Sequence, residues 1–477
     1  MIRYSTRKTA IHALAERLAP ARDRWVARNA YFHHEDWRYM RFLVPPGLKV
    51  LDLGCGSGEL LAALAPAVGV GVDFSAPAIE LARARHPQFA FHHLDVEDPA
   101  SYAHLSGPFD VVVLSDLVGD LDDCEATLRA LQKVVAPHTR IVVAYHSPLW
   151  SPILRLAEVV GLKMPQREQN WLANEDIENL LVLAGFEAIR RDWRQLVPRR
   201  LFHVGSLINR TLATLPLLRR LCLRTYLVAR PAGRAAVTTP SATVVIPCRN
   251  ERGNIEAAVA RLPRFAEQLE IIFVEGHSGD GTLEEIRRVI AAYPQYDIKV
   301  LVQDGKGKGD AVRKGFAAAR GDVLVILDAD LTVPPEWIPR FYEAIRLGTG
   351  EFVNGTRLVY PMEAQAMRFL NMLGNRVFSI LFSWLLNQRF TDTLCGTKVL
   401  SRAHYNQIAA NRAYFGDFDP FGDFDLIFGA AKLNLKVVEV PVRYASRTYG
   451  TTQISRFQHG LLLLRMCAFA FFKLKAF

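Results

Sequence analysis

The chain predicts an α/β protein made of two doubly wound domains in tandem. Three observations carry this. Its 477 residues exceed what one ordinary core organises. Short apolar strands alternate with helices in two separate runs, the pattern of parallel sheets covered on both faces. Each run also carries a cluster of glycine or carboxylate residues just after a strand, where open parallel sheets bind ligands.

Residues 1 to about 45 read as a helical preamble rich in Arg and aromatics. The first run follows, with strands at Val50–Leu53, Val68–Val72, Phe89–Leu94, Asp110–Leu114 and Arg140–Ala144, and helices between them. Trp171–Ala184 reads as a helix, and Gly185-Phe186-Glu187 as the start of a last strand pair. The expected boundaries are a first domain over 1–234 with its core at about 45–190, a linker over 235–240, and a second domain over 241–477. In the second run strands are expected at Thr243–Ile246, Ile271–Val274, Lys299–Val302 and Val323–Leu327.

Composition narrows the class. A net charge of +10 favours anionic partners without choosing among them. The six cysteines show no C-x-x-C spacing, which argues against a zinc site or a disulfide framework and for a reducing cytoplasm. No stretch reaches the ~18 uncharged apolar residues of a spanning helix. From 190 to 234 there are eleven Arg and one acid, Asp192. With the apolar stretches Met367–Leu386 and Leu461–Lys473, whose Lys473 and Lys475 could sit at headgroups, this tract suggests a peripheral protein on an anionic inner leaflet. The alternative is packing of those helices at a domain interface or in a homodimer. Nucleic acid is not expected, because aromatics do not interleave with the basic tract.

The first site begins at Asp52-Leu53-Gly54-Cys55-Gly56-Ser57-Gly58. Glycines there let backbone approach a ligand closely. Asp73 and Asp95 end the next two strands. This ordered set resembles the class I S-adenosylmethionine-dependent methyltransferases over roughly 45–230. The resemblance implies a Rossmann-like domain in which Gly54, Gly56 and Gly58 cradle the methionine moiety, Asp73 binds ribose and Asp95 flanks adenine. It also implies that Asp52 steers the loop and the cofactor amino group. Asp116, Asp120, Asp122, His146 and Trp150 follow strands and could line a methyl-acceptor pocket.

The second site is Asp328-Ala329-Asp330 after an apolar strand. In a strand alternate side chains share a face, so both carboxylates are expected to point toward one Mg²⁺ or Mn²⁺ that bridges diphosphate oxygens. Around it stand Pro247-Cys248-Arg249-Asn250-Glu251, Ser278-Gly279-Asp280-Gly281-Thr282 and the basic loop Gly305-Lys306-Gly307-Lys308-Gly309. Further on come Asp392–Lys398, Glu439-Val440-Pro441-Val442 and Arg447-Thr448-Tyr449-Gly450. In this order they resemble the family 2 glycosyltransferases of GT-A fold, near the dolichyl-phosphate and undecaprenyl-phosphate sugar transferases. Two departures are Glu275-Gly276-His277, where the family has paired aspartates, and Thr332, where the lipid branch has Gln.

That resemblance implies that Pro247, Asn250, Glu251, Glu275 and Lys306 contact a nucleotide-sugar, that Asp328 and Asp330 hold metal, and that Arg447 faces phosphate. It also implies an inverting displacement. Asp423 and Asp425 are candidate bases for a hydroxyl acceptor, or acids complementing a helix dipole. The combined expectation is a bifunctional enzyme of cell-envelope chemistry. It would transfer sugar to a polyprenyl phosphate or glycan and methylate a related small molecule or glycan. An active methyltransferase carrying a non-catalytic glycosyltransferase-like binding module is the second arrangement.

Overall fold

Runs of β-branched and apolar residues build two seven-stranded sheets, and each sheet has a strand at which the chain's winding reverses. The structure is a computed structural model. It describes all residues except 1–4, 203, 234–238, 361–368, 415–423, 448 and 451–455, and omits the side chains of 369–373, 413 and 456–460. The chain divides into two compact units between Ala232 and Gly233. Most of the expected linker, and the candidate base Asp423, lie outside the described residues.

The first sheet contains β1 (Lys49–Leu53), β2 (Val68–Asp73), β3 (Ala90–His93), β4 (Val111–Ser115), β5 (Arg140–His146), β6 (Phe186–Arg194) and β7 (Arg224–Pro231). Their order is β3-β2-β1-β4-β5-β7-β6. The first five strands are parallel, and β7 runs antiparallel to both β5 and β6. β5 is buried at every position, as expected of a strand covered on both faces. Leu51, Leu53, Val112, Leu114, Ile141 and Val143 form the centre of its core. Each such side chain contributes about 1.5–3 kcal/mol by leaving water. The order reverses between β1 and β4, which opens a crevice at their carboxyl ends.

The second sheet contains β8 (Ala242–Cys248), β9 (Leu269–Glu275), β10 (Asp297–Val302), β11 (Val323–Ile326), β12 (Phe352–Thr356), β13 (Lys398–Ser401) and β14 (Val437–Pro441). Their order is β10-β9-β8-β11-β13-β12-β14. β13 is antiparallel to both its neighbours, so this sheet is mixed. Here the reversal falls between β8 and β11. Pro247, Asn250, Glu251, Glu275, Asp328 and Asp330 lie at or just past the carboxyl ends of β8, β9 and β11, while Lys306 follows β10 and Arg447 follows β14.

Packing divides the basic tract and corrects one expectation about the C-terminus. Part of the tract lies inside the first sheet. Arg190, Arg194, Arg224 and Arg230 are buried in β6 and β7. Their partners include Asp192, Asp36, Asp116 and Glu187. Lys475 is not free to meet headgroups either. It is buried and donates to Asn387 Oδ1 at 2.6 Å, just past the end of the helix Phe369–Leu386. Trp384 of that helix stacks on Phe471 of the C-terminal helix Arg456–Leu474, so the two apolar helices pack on each other. No helix among the described residues is long and apolar enough to cross a membrane.

Candidate functional sites

In the first unit the chain leaves β1 through a turn whose three glycines, Gly54, Gly56 and Gly58, all have positive φ. Side chains strain that backbone, and it carries the chain straight into the helix Glu59–Leu64. A cavity of about 460 Å³ opens against the turn. Gly54, Gly56, Asp73 and Asp95 line it; Gly58 and Asp52 do not. Asp73 receives the Gly56 N–H at 2.8 Å and the Ser75 N–H at 2.9 Å, which ties the glycine turn to the end of β2. Asp95 is held by Lys8 at 2.6 Å, and Lys8 also reaches Glu97 at 2.5 Å.

Lys8 is one of the residues that sequence reasoning missed. It sits on the helix Thr6–Leu18, and that helix with the rest of the preamble walls the cavity through Ile11, Leu14, Arg22, Trp25 and Phe32. The dense Arg and aromatic content of the preamble was the available signal, since a free surface helix has little use for buried aromatics.

Asp52 lies buried in β1 with its Oδ2 lacking any hydrogen-bond partner. Burial, and then the neighbouring Asp73 charge, push its carboxyl up to about 7. A buried polar oxygen without a partner is costly. Asp52 stands behind the turn, outside the cavity lining, while Gly54 and Gly56 bring backbone without a Cβ to the cavity wall, which fits a closely held ligand such as an adenosyl amino acid.

Asp116, Asp120, His146 and Trp150 also line the cavity. Asp122 does not, and instead receives Arg7 at 2.9 Å. Asp116 has φ +61, a strained conformation for a side-chain-bearing residue. It is held by Arg224, and the His146 Nδ1 lies 3.2 Å from its Oδ1. Arg224 is fully buried and also donates to Asp36 Oδ1 at 2.8 Å and Ser115 Oγ at 2.9 Å. Burial would raise the Asp116 carboxyl, but the Arg224 and His146 contacts hold it far below the usual range. The His146 ring stacks on Phe32, with centroids 6.0 Å apart. An imidazole with one nitrogen tied to a carboxylate and its face against a ring has a fixed orientation at the cavity wall.

In the second unit β11 ends at Ile326, so Asp328 and Asp330 lie in the turn after it and not on one strand face. The alternation argument therefore fails here. Leu331 takes φ +53 in this turn. The two carboxylates meet different cations. Asp328 Oδ1 is 2.6 Å from Lys308 Nζ, and Asp330 Oδ2 is 2.6 Å from Arg447 Nη2. Burial would raise Asp328, and Lys308 with Lys398 and Arg357 more than offsets it. Among the described residues no group of three or more His, Cys, Asp or Glu side chains makes a metal cage. The donor set still fits a hard divalent ion, because each carboxylate already holds a positive charge that such an ion could replace.

Arg447 also contacts Glu251 Oε1 at 3.2 Å, so Glu251, Asp330 and Arg447 form one cluster. Asn250, at φ +55, donates its N–H to Ser278 and receives Gly279 N–H at 2.9 Å. Glu275 accepts the N–H groups of His277 and Ser278 at 3.1 and 2.6 Å. Pro247 lies in β8 beside these loops. Lys306 is exposed, and Lys308, two residues on, is the lysine that reaches Asp328. Asp425 sits in the first turn of the helix Phe424–Lys432, buried between Arg313 at 3.6 Å and Arg412 at 3.4 Å. Those contacts favour the structural reading of this acid over the catalytic one. Asp392, fully buried, receives both arms of Arg357 at 2.6 and 2.8 Å and Asn375 at 2.9 Å. It pins the end of β12 to the helix Phe369–Leu386.

Residues 11–191 match the family described as Methyltransferase domain, and residues 243–409 match Glycosyl transferase family 2. The chain carries one domain of each kind. Each is built on its own seven-stranded mixed sheet. Over 121 residues the chain is 36% identical to the dolichol-phosphate mannosyltransferase of Saccharomyces cerevisiae, spanning 24% of this chain and 44% of that one. Over 120 residues it is 40% identical to the Pyrococcus furiosus protein of the same name, spanning 24% and 33%. Over 110 residues it is 38% identical to the undecaprenyl-phosphate 4-deoxy-4-formamido-L-arabinose transferase of Aeromonas hydrophila, spanning 22% and 34%. The chain thus spans less than half the length of each of these relatives.

Two solved structures are also similar. One is the magnesium protoporphyrin IX methyltransferase of Synechocystis PCC 6803 with bound SAH, at 19% identity and a TM-score of 0.34, covering 47% of this chain and 100% of that one. The other is the glucosyl-3-phosphoglycerate synthase of Mycobacterium tuberculosis with Mn²⁺ and UDP, at 17% identity and a TM-score of 0.35, covering 49% and 80%.

Proposed function

We propose that the chain is a bifunctional transferase. Its second unit moves a sugar, with inversion, from a nucleotide-sugar to a polyprenyl phosphate or glycan. Its first unit methylates a related small molecule or glycan. The observation that carries the glycosyl half is the pairing of Asp328 with Lys308 and of Asp330 with Arg447 at the carboxyl ends of the central strands. Asp328 and Asp330 would hold a divalent ion, which when bound would supply positive charge against a diphosphate. Lys308 and Arg447, beside those carboxylates, would be the chain's own cations for phosphate oxygens. Pro247, Asn250, Glu251 and Glu275 border the same crevice and are the proposed nucleoside contacts. A lipid phosphate is already anionic and needs orientation more than a general base. That agrees with Asp425 being occupied by two arginines.

In the first unit, S-adenosylmethionine, when bound, supplies an activated methyl group. Gly54 and Gly56 would cradle it, Asp73 and Asp95 would take its sugar and base, and the Asp52 carboxylate would balance its ammonium. Among the titratable side chains at the cavity wall, His146, oriented by Asp116, is the proposed acceptor of a proton from the methyl acceptor. A protein of this kind would work peripherally on the inner face of an anionic membrane, where a lipid-linked acceptor resides.

The test is a panel of UDP-, GDP- and dTDP-sugars with Mn²⁺ and a lipid extract. Donor turnover is expected, and it should be lost with a chelator and with Asp328→Asn or Asp330→Asn. If the wild-type chain neither hydrolyses nor transfers any donor, the glycosyl half is only a binding module; if both variants keep full turnover, Asp328 and Asp330 are not the metal ligands of the reaction.

A further inference from the structure

The methyltransferase unit turns a coherent apolar surface to solvent beside the mouth of its cavity. In the helix Ser151–Val159 and its flanks, Leu149, Ile153, Leu156 and Val160 recur at spacings of four, three and four, one helical stripe, and all four are exposed. Leu156 is 62% exposed and the adjacent Val159 85%. On a water-facing helix this amphipathicity is inverted, since the packed side presents Leu154 and the half-buried Ala157 to the cavity.

A second element continues the surface. Trp150 Nε1 donates to the Leu221 carbonyl at 2.9 Å, which joins the start of the helix to the end of the segment 196–223. Ile153, Leu154 and Ala157 share the cavity wall with Pro198, Arg199 and Leu223. In this segment Phe202 is 96% exposed and Leu217 88%. Phe202 has φ +43, a conformation that costs a bulky side chain free energy, yet the ring gains no burial from it. Leu201, Val204, Leu207, Leu212 and Leu215 are exposed as well. A monomeric surface rarely exposes so many large apolar residues together without a partner.

Charge identifies the partner. There is no Asp or Glu between Asp192 and Glu251. Arg199, Arg200, Arg210 and Arg220 are exposed among these apolar residues, unlike the buried arginines of β6 and β7. In a two-fold pairing of this face with a second copy, the same four cations would confront themselves. An anionic bilayer meets both demands, taking the apolar side chains below the headgroups and pairing the arginines with lipid phosphate.

We propose that the methyltransferase unit docks on an anionic lipid bilayer through the outer stripe of helix Ser151–Val159 and the segment 196–223, and draws its methyl acceptor from that bilayer into the adjoining cavity. The acceptor is then an apolar, membrane-resident molecule, in keeping with the Ile11, Leu14, Leu18, Trp25 and Val26 lining. Its entry rests on the methyltransferase reading of the cavity; the docking does not.

The test places an environment-sensitive fluorophore at Phe202→Cys in the full chain, with Cys124, the one cysteine that is not buried, changed to serine. Phosphatidylglycerol vesicles should shift its emission to the blue with rising intensity, and phosphatidylcholine vesicles should not. Leu156→Glu with Val159→Glu should abolish that response while S-adenosylhomocysteine binding, measured by calorimetry, stays unchanged. An unshifted reporter with phosphatidylglycerol vesicles, whether or not they pellet the protein, overturns the docking. So does self-association in solution that the double variant abolishes, since a second copy then covers the face. Intact docking without S-adenosylhomocysteine binding would instead sink the methyl-transfer reading.

Discussion

At the scale of single residues, Asp52 has the clearest consequence. Its carboxyl, raised to about 7 from 3.8, keeps its proton in the folded chain across a range where the unfolded chain has lost it. Such a group subtracts stability as pH rises through that window. Asp52→Asn should therefore raise Tm relative to wild type at pH 8, by the equivalent of about 2 kcal/mol, and change it little at pH 4. If Asp52 balances the cofactor ammonium, S-adenosylhomocysteine binding at pH 6 should release a proton. Calorimetry in two buffers of different ionisation enthalpy reads this release, and Asp52→Asn should remove it. Gly396 offers a second test. A Cβ there would overlap the Asp328 carboxylate and the Lys308 ammonium. Gly396→Ala should displace Asp328 and lower donor turnover by about 100-fold, as misplacement of a catalytic group does, with little loss of Tm.

At the scale of elements, the buried Arg224 cluster joins three pieces of chain that are distant in sequence. Asp36 comes from the helix Ala30–Leu43, Ser115 from the end of β4 with Asp116 next to it, and Arg224 from the start of β7. Tyr226 adds a hydrogen bond to Asp36 at 2.5 Å. Removing the guanidinium leaves the buried Asp36 carboxylate without its cation, and leaves Asp116 at the cavity wall without its own. Arg224→Leu should cost about 3–5 kcal/mol in denaturant unfolding of the first unit, far more than loss of an exposed arginine such as Arg210. The same substitution frees Asp116, so the orientation of His146 should be lost with it. Imidazole ¹⁵N shifts report that change even in protein that remains folded.

At the scale of the whole molecule, the division between Ala232 and Gly233 separates two sheets with independent cores. Every residue lining the first cavity lies between Lys8 and Leu223. A chain ending at Ala232 should therefore fold and bind S-adenosylhomocysteine with the affinity of the full chain, as calorimetry on the two proteins would read. A truncation that folds by circular dichroism but has lost binding would show that the second unit completes the site.

Much of this was legible in the sequence because it is written locally. Strand–helix alternation, the glycine turn after β1 and the carboxylates at or just past the ends of β2 and β3 depend on neighbours a few residues apart. Spacing read with the family resemblance therefore grouped Gly54, Gly56, Asp73 and Asp95, which line one cavity. What sequence could not decide was which charge meets which. A run of arginines looks the same whether it faces water or fills a sheet, and only tertiary packing put Arg224 between Asp36 and Asp116 while leaving Arg210 exposed. The same holds for Lys8 on Asp95, Lys308 on Asp328 and Lys475 on Asn387. Coulombic and desolvation energies depend on distance and burial in space, and chain order constrains neither across a hundred residues.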